Sequence, residues 1–285
     1  MKRIAILRSR FAAEGFSPDL ATLFREIVYH HYRGHGRTFP WRETRDPYAI
    51  LVSEVMLQQT RVERVSGKFR EFLASFPDFP ALAAAPLQEV LACWQGLGYN
   101  RRAVSLKRCA ELALERWGGA LPSSPEELQT LPGIGPYTAR AIAAFAFDQP
   151  TVFIETNIRT VFIQLLFPDA AKVHDRELLP LVAAALDRDR PREWYSALMD
   201  YGAALKREHP NPSRRSAHHV RQPPFTGSNR EVRGMLLKTL LERPGMTATE
   251  LAACLGKNVG VIGKILAQLR LEGFLVSRGR RFFIA

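Results

Sequence analysis

The chain has 285 residues, 46 % of them hydrophobic, with 40 lysines and arginines against 28 aspartates and glutamates and a formal net charge of +12. That length buries a sizeable core and holds two domains or three small ones, and the basic excess favours a polyanionic partner. Cys93, Cys109 and Cys254 are far apart and form no Cys-x-x-Cys pair, which argues against a disulfide framework and a cysteine-held metal.

The first ten residues are short and basic, without a long apolar run, and read as neither a signal peptide nor a membrane span. A cytoplasmic, nucleoid-associated location is expected. Leu20, Leu23, Phe24, Ile27 and Val28 recur at helical spacing behind a Ser17-Pro18 start signal. The polar, aromatic stretch from His30 to Arg45 predicts a loop. Asp46-Pro47 opens a helix carrying Ile50, Leu51, Val55 and Met56. Further helices are predicted over about 62–75, 87–95, 101–116, 124–130, 136–147, 157–166, 175–187 and 191–206. Phe76-Pro77, Ala85-Pro86, Gly96-Leu97-Gly98, Gly118-Gly119 and Ser124-Pro125 punctuate them.

Residues 207–229 hold Pro210, Pro212, Pro223, Pro224 and Gly227 together with Arg214, Arg215 and Arg221, a basic linker of limited flexibility. Beyond it, Val232, Leu236, Leu237, Leu240 and Leu241 predict one amphipathic helix. Thr247-Ala248-Thr249-Glu250 is a capping box that starts a second. Asn258 to Glu272 predicts a third. Gly273 to Val276, Ser277 to Arg281 and Phe282 to Ile284 read as strand, basic turn, strand. Three helices and a hairpin resemble a winged helix-turn-helix, which serves DNA or protein contacts.

The richest stretch is Leu131-Pro132-Gly133-Ile134-Gly135-Pro136-Tyr137-Thr138, followed by Phe153-Ile154-Glu155-Thr156-Asn157. Glycines on either side of one apolar residue permit a tight turn. The N–H groups of the helix that follows then face an anion, a DNA phosphate by this reading.

These segments resemble the adenine-specific, MutY-like branch of the helix–hairpin–helix (HhH-GPD) DNA glycosylases. The likeness runs from Leu20 to Leu205 through Phe39-Pro40-Trp41-Arg42, Asp46-Pro47-Tyr48, Ser53-Glu54-Val55-Met56-Leu57-Gln58-Gln59-Thr60, Trp94-Gln95-Gly96-Leu97-Gly98-Tyr99, the hairpin, Glu155-Thr156-Asn157 and Met199-Asp200-Tyr201-Gly202-Ala203. It implies an all-α, two-lobed core over 1–206, with a six-helix barrel at about 39–150 and a second lobe from 17–38 plus 151–206. The linker 207–229 and a winged-helix-like α+β domain at 230–285 complete the expected layout.

The chemistry the resemblance implies is hydrolysis of an N-glycosidic bond after the base is flipped out of duplex DNA. Glu54, among apolar neighbours that raise a carboxyl pKa, is the expected general acid. Glu155 stands where the family carries an aspartate and is expected to stabilise the oxocarbenium-like sugar. Tyr137 stands where lyase-competent relatives carry a lysine, so a monofunctional enzyme is expected. Gln58, Gln59, Thr60, Leu97 and Tyr99 resemble residues that wedge into the duplex. Gly133, Gly135, Asn157, Arg214 and Arg215 are expected on DNA, and Trp41 and Arg42 beside the flipped base. The four cluster cysteines of most relatives have no counterpart after Leu205, so no iron–sulfur cluster and no metal are expected, His209, His218 and His219 included. The expected partner is duplex DNA with a mispaired or damaged base, bound by a monomer with no role for a membrane. A mismatch thymine or uracil glycosylase and a non-catalytic DNA-binding protein are the alternatives.

Overall fold

The computed structural model describes residues 2–219, 225 and 227–285. Within the basic segment 207–229, residues 220–224 and 226, Arg221 among them, therefore lie outside the described residues. In chain order the helices are α1 (Lys2–Glu14), α2 (Pro18–His35), α3 (Pro40–Glu43), α4 (Pro47–Leu57), α5 (Val62–Ser75), α6 (Phe79–Ala84), α7 (Leu87–Cys93), α8 (Arg101–Trp117) and α9 (Pro125–Leu128). Then come α10 (Pro136–Phe147), α11 (Thr156–Leu166), α12 (Asp175–Ala185), α13 (Pro191–Glu208), a 3-10 turn (Pro212–Arg215) and α14 (Asn229–Glu242). The chain finishes with β1 (Met246–Thr247), α15 (Ala248–Leu255), α16 (Val259–Leu271), β2 (Leu275–Arg278) and β3 (Arg281–Ile284). A helical fold with one small sheet is thus observed, as composition and periodicity lead one to expect. Among the described residues no helix is long and apolar enough to cross a membrane.

The chain divides into two compact units. The first comprises Met1–Ile50, Ser123–Gln129 and Ile134–Arg221. Its centre is α11, packed by α13, α1 and α12, with α2 against α13. Phe24, Phe162, Trp194 and Tyr195 are fully buried there, each worth about 1.5–3 kcal/mol of burial or more. The loop expected over 30–45 is mostly helix. α2 runs on to His35 because the aromatic residues of its last turns pack: Tyr29 lies against Trp194, and His31 stacks 4.6 Å from the Tyr201 ring. It stops at Gly36, where a Cβ would lie 2.8 Å from the Tyr32 carbonyl oxygen. The unexpected α1 buries Leu7, and its Arg8 donates to the carbonyls of Gln164 and Leu165 at the C-terminal end of α11, where a cation meets the negative end of the helix dipole.

The second unit comprises Leu51–Pro122, Thr130–Gly133 and Gln222–Ala285. α5 to α8 enclose Phe72, Leu82, Val90, Trp94 and Leu106, all buried. The C-terminal segment builds an antiparallel sheet in the order β1-β3-β2, with Met246 opposite Phe282 and Val276 opposite Phe283. The Thr247–Glu250 capping box forms at α15. Glu272, after α16, accepts from Arg233 of α14 at 2.6 Å and from Arg101 of α8 at 2.9 Å. Burial alone would raise its carboxyl pKa, but Arg233, Gln268 and Arg101 pull it down to about 2.

Candidate active site

α4 buries Ala49, Ile50, Leu51, Val52, Val55 and Met56, and in their midst Glu54 is 7 % exposed. A buried carboxyl on an otherwise apolar helix is the informative exception. Just past the end of α4, Gln59 takes φ 54°, and in the loop before α8, Tyr99 takes φ 49°. Left-handed backbone at a side chain other than glycine costs about 1–3 kcal/mol and persists where neighbouring structure over-determines it. Arg102 supplies that constraint. Its guanidinium donates to the carbonyls of Val55, Met56 and Gln58 at 2.9, 2.8 and 2.6 Å, and to those of Leu97 and Gly98 at 3.3 and 3.0 Å. A further bond reaches the Thr60 hydroxyl at 2.9 Å. Burial lowers the Arg102 pKa to about 10.

One buried cation therefore joins both loops expected to wedge into DNA, although sequence reasoning passed over it. Its position among the buried residues Ala103 and Leu106 on one face of α8 is the available signal. The loops also meet the hairpin, through the Gln58 side-chain amide donating to the Gly133 carbonyl at 3.2 Å. Gly133 has φ 78°, and a Cβ there would press on Ser105 at 3.1 Å. Tyr99 is exposed and its hydroxyl accepts from Arg230 at 2.9 Å. Leu97 departs from expectation. At 2 % exposure it packs inside the unit rather than projecting from it.

Gly135 is the N-cap of α10, with Pro136 at the first position. A helix N-terminus behind a glycine turn is a place where an anion is favoured. Tyr137, half-buried on the first turn of α10, packs edge-to-face with Phe153, the ring centroids 5.6 Å apart.

Glu155 is half-buried and caps α11. Its Oε1 accepts from the N–H groups of Asn157 and Ile158 at 2.6 and 3.0 Å, and Oε2 accepts from Asn157 Nδ2 at 3.3 Å. Burial raises its pKa, opposed by Lys206, by the two N–H donors and by Arg159. Capping fixes where the carboxylate points.

Trp41 is buried and its ring stacks on Phe39 at 5.0 Å. Arg42 turns away from the expected base-contacting role, because its guanidinium grips Asp200 at 2.8 and 2.9 Å and also donates to the Arg37 carbonyl. Burial would raise the Asp200 pKa, yet Arg42 and Arg37 hold it below the usual carboxylate range. Arg214 is exposed. Arg215 is not available to phosphate. It donates to the carbonyls of Phe167 and Pro168 at 2.6 and 2.7 Å and to the Gln164 side chain at 3.1 Å.

The residues after α13 do not fit an iron–sulfur cluster. Residues 209–229 hold no thiol, and Arg215 and a short backbone bridge between Val173 and Ser216 fasten this segment instead. The three cysteines lie elsewhere, on α7, α8 and α15. Among the described residues no group of histidine, cysteine and carboxylate side chains could hold a metal ion.

The structure thus holds a buried carboxyl on α4, a glycine hairpin opening α10 and a carboxylate capping α11. Residues 52–180 match the model of the HhH-GPD superfamily base excision DNA repair proteins. An adenine DNA glycosylase of Mycolicibacterium smegmatis is 36 % identical over 231 residues, covering 74 % of this chain and 77 % of that one. A thymine/uracil-DNA glycosylase of Pyrobaculum aerophilum is 34 % identical over 174 residues, covering 59 % of this chain and 75 % of that one. Among solved structures, a thermostable thymine-DNA glycosylase matches with TM-score 0.57 and 26 % identity over 64 % of this chain and 86 % of that one. The chain belongs to the HhH-GPD superfamily of base excision DNA repair proteins.

Proposed function

We propose that the protein is a monofunctional DNA glycosylase that removes adenine mispaired with oxidised guanine or guanine. The observation that carries this reading is Glu54, a carboxyl held at 7 % exposure on an apolar helix within a sequence similar to that of an adenine glycosylase. Adenine leaves poorly as an anion. A proton passed from Glu54 to a ring nitrogen of the flipped base lets it leave neutral, with the bonding pair of the C1′–N9 bond. Glu155 carries the negative charge that offsets the oxocarbenium-like sugar. Water then adds to C1′ and loses a proton, leaving an abasic site. Tyr137 offers a phenol rather than an amine, so no Schiff base forms and the strand stays intact.

The start of α10 with Gly133 and Gly135 binds backbone phosphate, and Asn157 and Arg214 add to that surface. Gln58, Gln59 and Tyr99 enter the duplex, with Thr60 bonded behind them, and Trp41 borders the base. No cluster or metal takes part. The segment 230–285 acts as a winged helix that meets DNA through Lys257, Lys264 and Arg280, all exposed. The protein works as a soluble monomer in the compartment that holds the DNA.

The Pyrobaculum relative, together with glutamate in place of aspartate at 155, favours a second reading in which thymine or uracil opposite guanine is the substrate. Single-turnover cleavage of duplexes carrying A opposite oxidised guanine, A·G, T·G or U·G separates the two. Strand scission after hot alkali is expected with the adenine duplexes, without a borohydride-trapped adduct. Scission confined to T·G and U·G supports the second reading.

A further inference from the structure

α13 approaches the start of α11 more closely than ordinary helix packing allows. A Cβ on Gly202 would collide with the Asn157 backbone carbonyl and lie 2.7 Å from the Asn157 Cβ. Four residues on, and so on the same face of α13, Lys206 donates from Nζ to Asn157 Oδ1 at 2.7 Å. That bond settles which way the Asn157 amide faces. Its Oδ1 meets the ammonium, and its Nδ2 is turned to Glu155 Oε2 at 3.3 Å. The chain of contacts runs from a half-buried cation through one amide to the carboxylate, with the two N–H groups of α11 on the carboxylate's other oxygen.

We infer that Lys206 is a positioning residue for base excision, acting through Asn157 to fix the Glu155 carboxylate and keep it ionised. This rests on the role of Glu155 proposed above.

Several facts favour this over a simple helix tie. Lys206 is itself half-buried and pays for that with a lowered pKa, which the nearby Glu155 opposes. A lysine on a helix surface ordinarily keeps its ammonium in water. Lys206 faces Glu155 from α13 and Arg159 from α11 itself. Arg159 is already engaged by Asp175 of α12, at 2.7 Å on both of its bonds. From α10, Tyr137 packs its ring on Phe153, two residues before Glu155. Lys206 is the largest of the influences that work against the burial of Glu155, ahead of the two N–H donors and of Arg159, whose charge is shared with Asp175. Gly202 is what lets it come close enough.

The test compares wild type with K206M, K206R, E155Q and K206M/E155Q in single-turnover cleavage of a duplex with A opposite oxidised guanine, across pH. Loss of a charged hydrogen-bond partner is expected to slow K206M by about ten- to a hundredfold. The acidic limb of its profile should move to higher pH, and K206R should restore most of both. In the E155Q background the same lysine change should cost little, and duplex affinity should stay within about threefold of wild type. A K206M penalty equal in both backgrounds, or an unmoved acidic limb, would overturn the inference. If E155Q itself cleaves at the wild-type rate, the role of Glu155 is what fails. Independently of turnover, the Glu155 side-chain carboxyl, labelled with 13C and assigned by E155Q, should titrate at higher pH in K206M. An unchanged midpoint would contradict the inference even in a protein that cleaves none of the duplexes tried.

Discussion

At the scale of single residues, the account turns on two carboxyls with different surroundings. Glu155 is raised in pKa by burial, so its ionised form is a cost to the folded state near neutrality that protonation relieves. A glutamine keeps an oxygen for the α11 cap and removes that cost. Glu155→Gln should therefore leave the melting temperature unchanged or slightly higher while lowering the single-turnover rate by about a hundredfold or more. Parallel loss of stability and rate would mean that Glu155 is a cap and nothing else. Glu155→Asp probes geometry, because it draws the carboxylate back by one methylene. An active site built around the longer side chain makes aspartate the slower variant on the true substrate, by up to about a hundredfold for an ångström of misplacement. An aspartate variant faster on adenine opposite oxidised guanine would show the glutamate to be tolerated rather than fitted.

At the scale of elements, Arg102 and Glu272 are the two joints of the second unit. Arg102 serves five backbone carbonyls at once. A lysine ammonium has three donors and no fork, and each buried carbonyl left without a partner costs about 1–3 kcal/mol. Arg102→Lys should lower the denaturation midpoint and weaken duplex binding together, since Gln59 and Tyr99 would lose the constraint on their left-handed backbone. Unchanged values for both would show the loops to be held by other contacts. Glu272 has a folded pKa of about 2, against about 4.3 in an unfolded chain. A depressed carboxylate contributes stability that is present above the unfolded value and lost as pH falls through the folded one. Between those two pH values the wild-type protein should lose stability more steeply than Glu272→Gln, as read from urea midpoints at each pH. Identical slopes would mean that Arg101 and Arg233 do not pull on Glu272 in solution.

At the scale of the whole molecule, a charge of +12 on 285 residues predicts binding governed by counterion release. Each phosphate contact contributes about −0.9 to the slope of log K against log salt. Replacing Lys257, Lys264 and Arg280 by alanine should flatten that slope by up to about 2.7 if the C-terminal segment lies on DNA. An unaltered slope would assign it to protein contacts. Most helices were legible in the sequence because their start signals are local: Ser17 caps α2, Thr247 and Glu250 box α15, and Asn258 caps α16. The end of α2 was not legible, since His31 and Tyr29 are stabilised by partners more than a hundred residues away. Strand β1, two residues long, is too short for alternation to show. Both carboxyls of the candidate site could be named from motifs, but the cations bonded to Asn157 and to the loops after α4 and before α8 could not. Arg102 and Lys206 look like ordinary helix-surface charges until the fold brings carbonyls and Asn157 to them. Arg42 and Arg215 differ the other way, since an arginine expected beside the flipped base is engaged by Asp200 and one expected on DNA is engaged at the end of α11.

The central claim is that Glu54 delivers the proton that releases adenine. It is tested most directly by single-turnover excision from a duplex with adenine opposite oxidised guanine, comparing wild type with Glu54→Gln and measuring duplex affinity alongside. The amide keeps the size of the side chain and removes the acid. The account predicts excision falling below detection with duplex affinity within a few-fold of wild type. Excision by Glu54→Gln at the wild-type rate would contradict it.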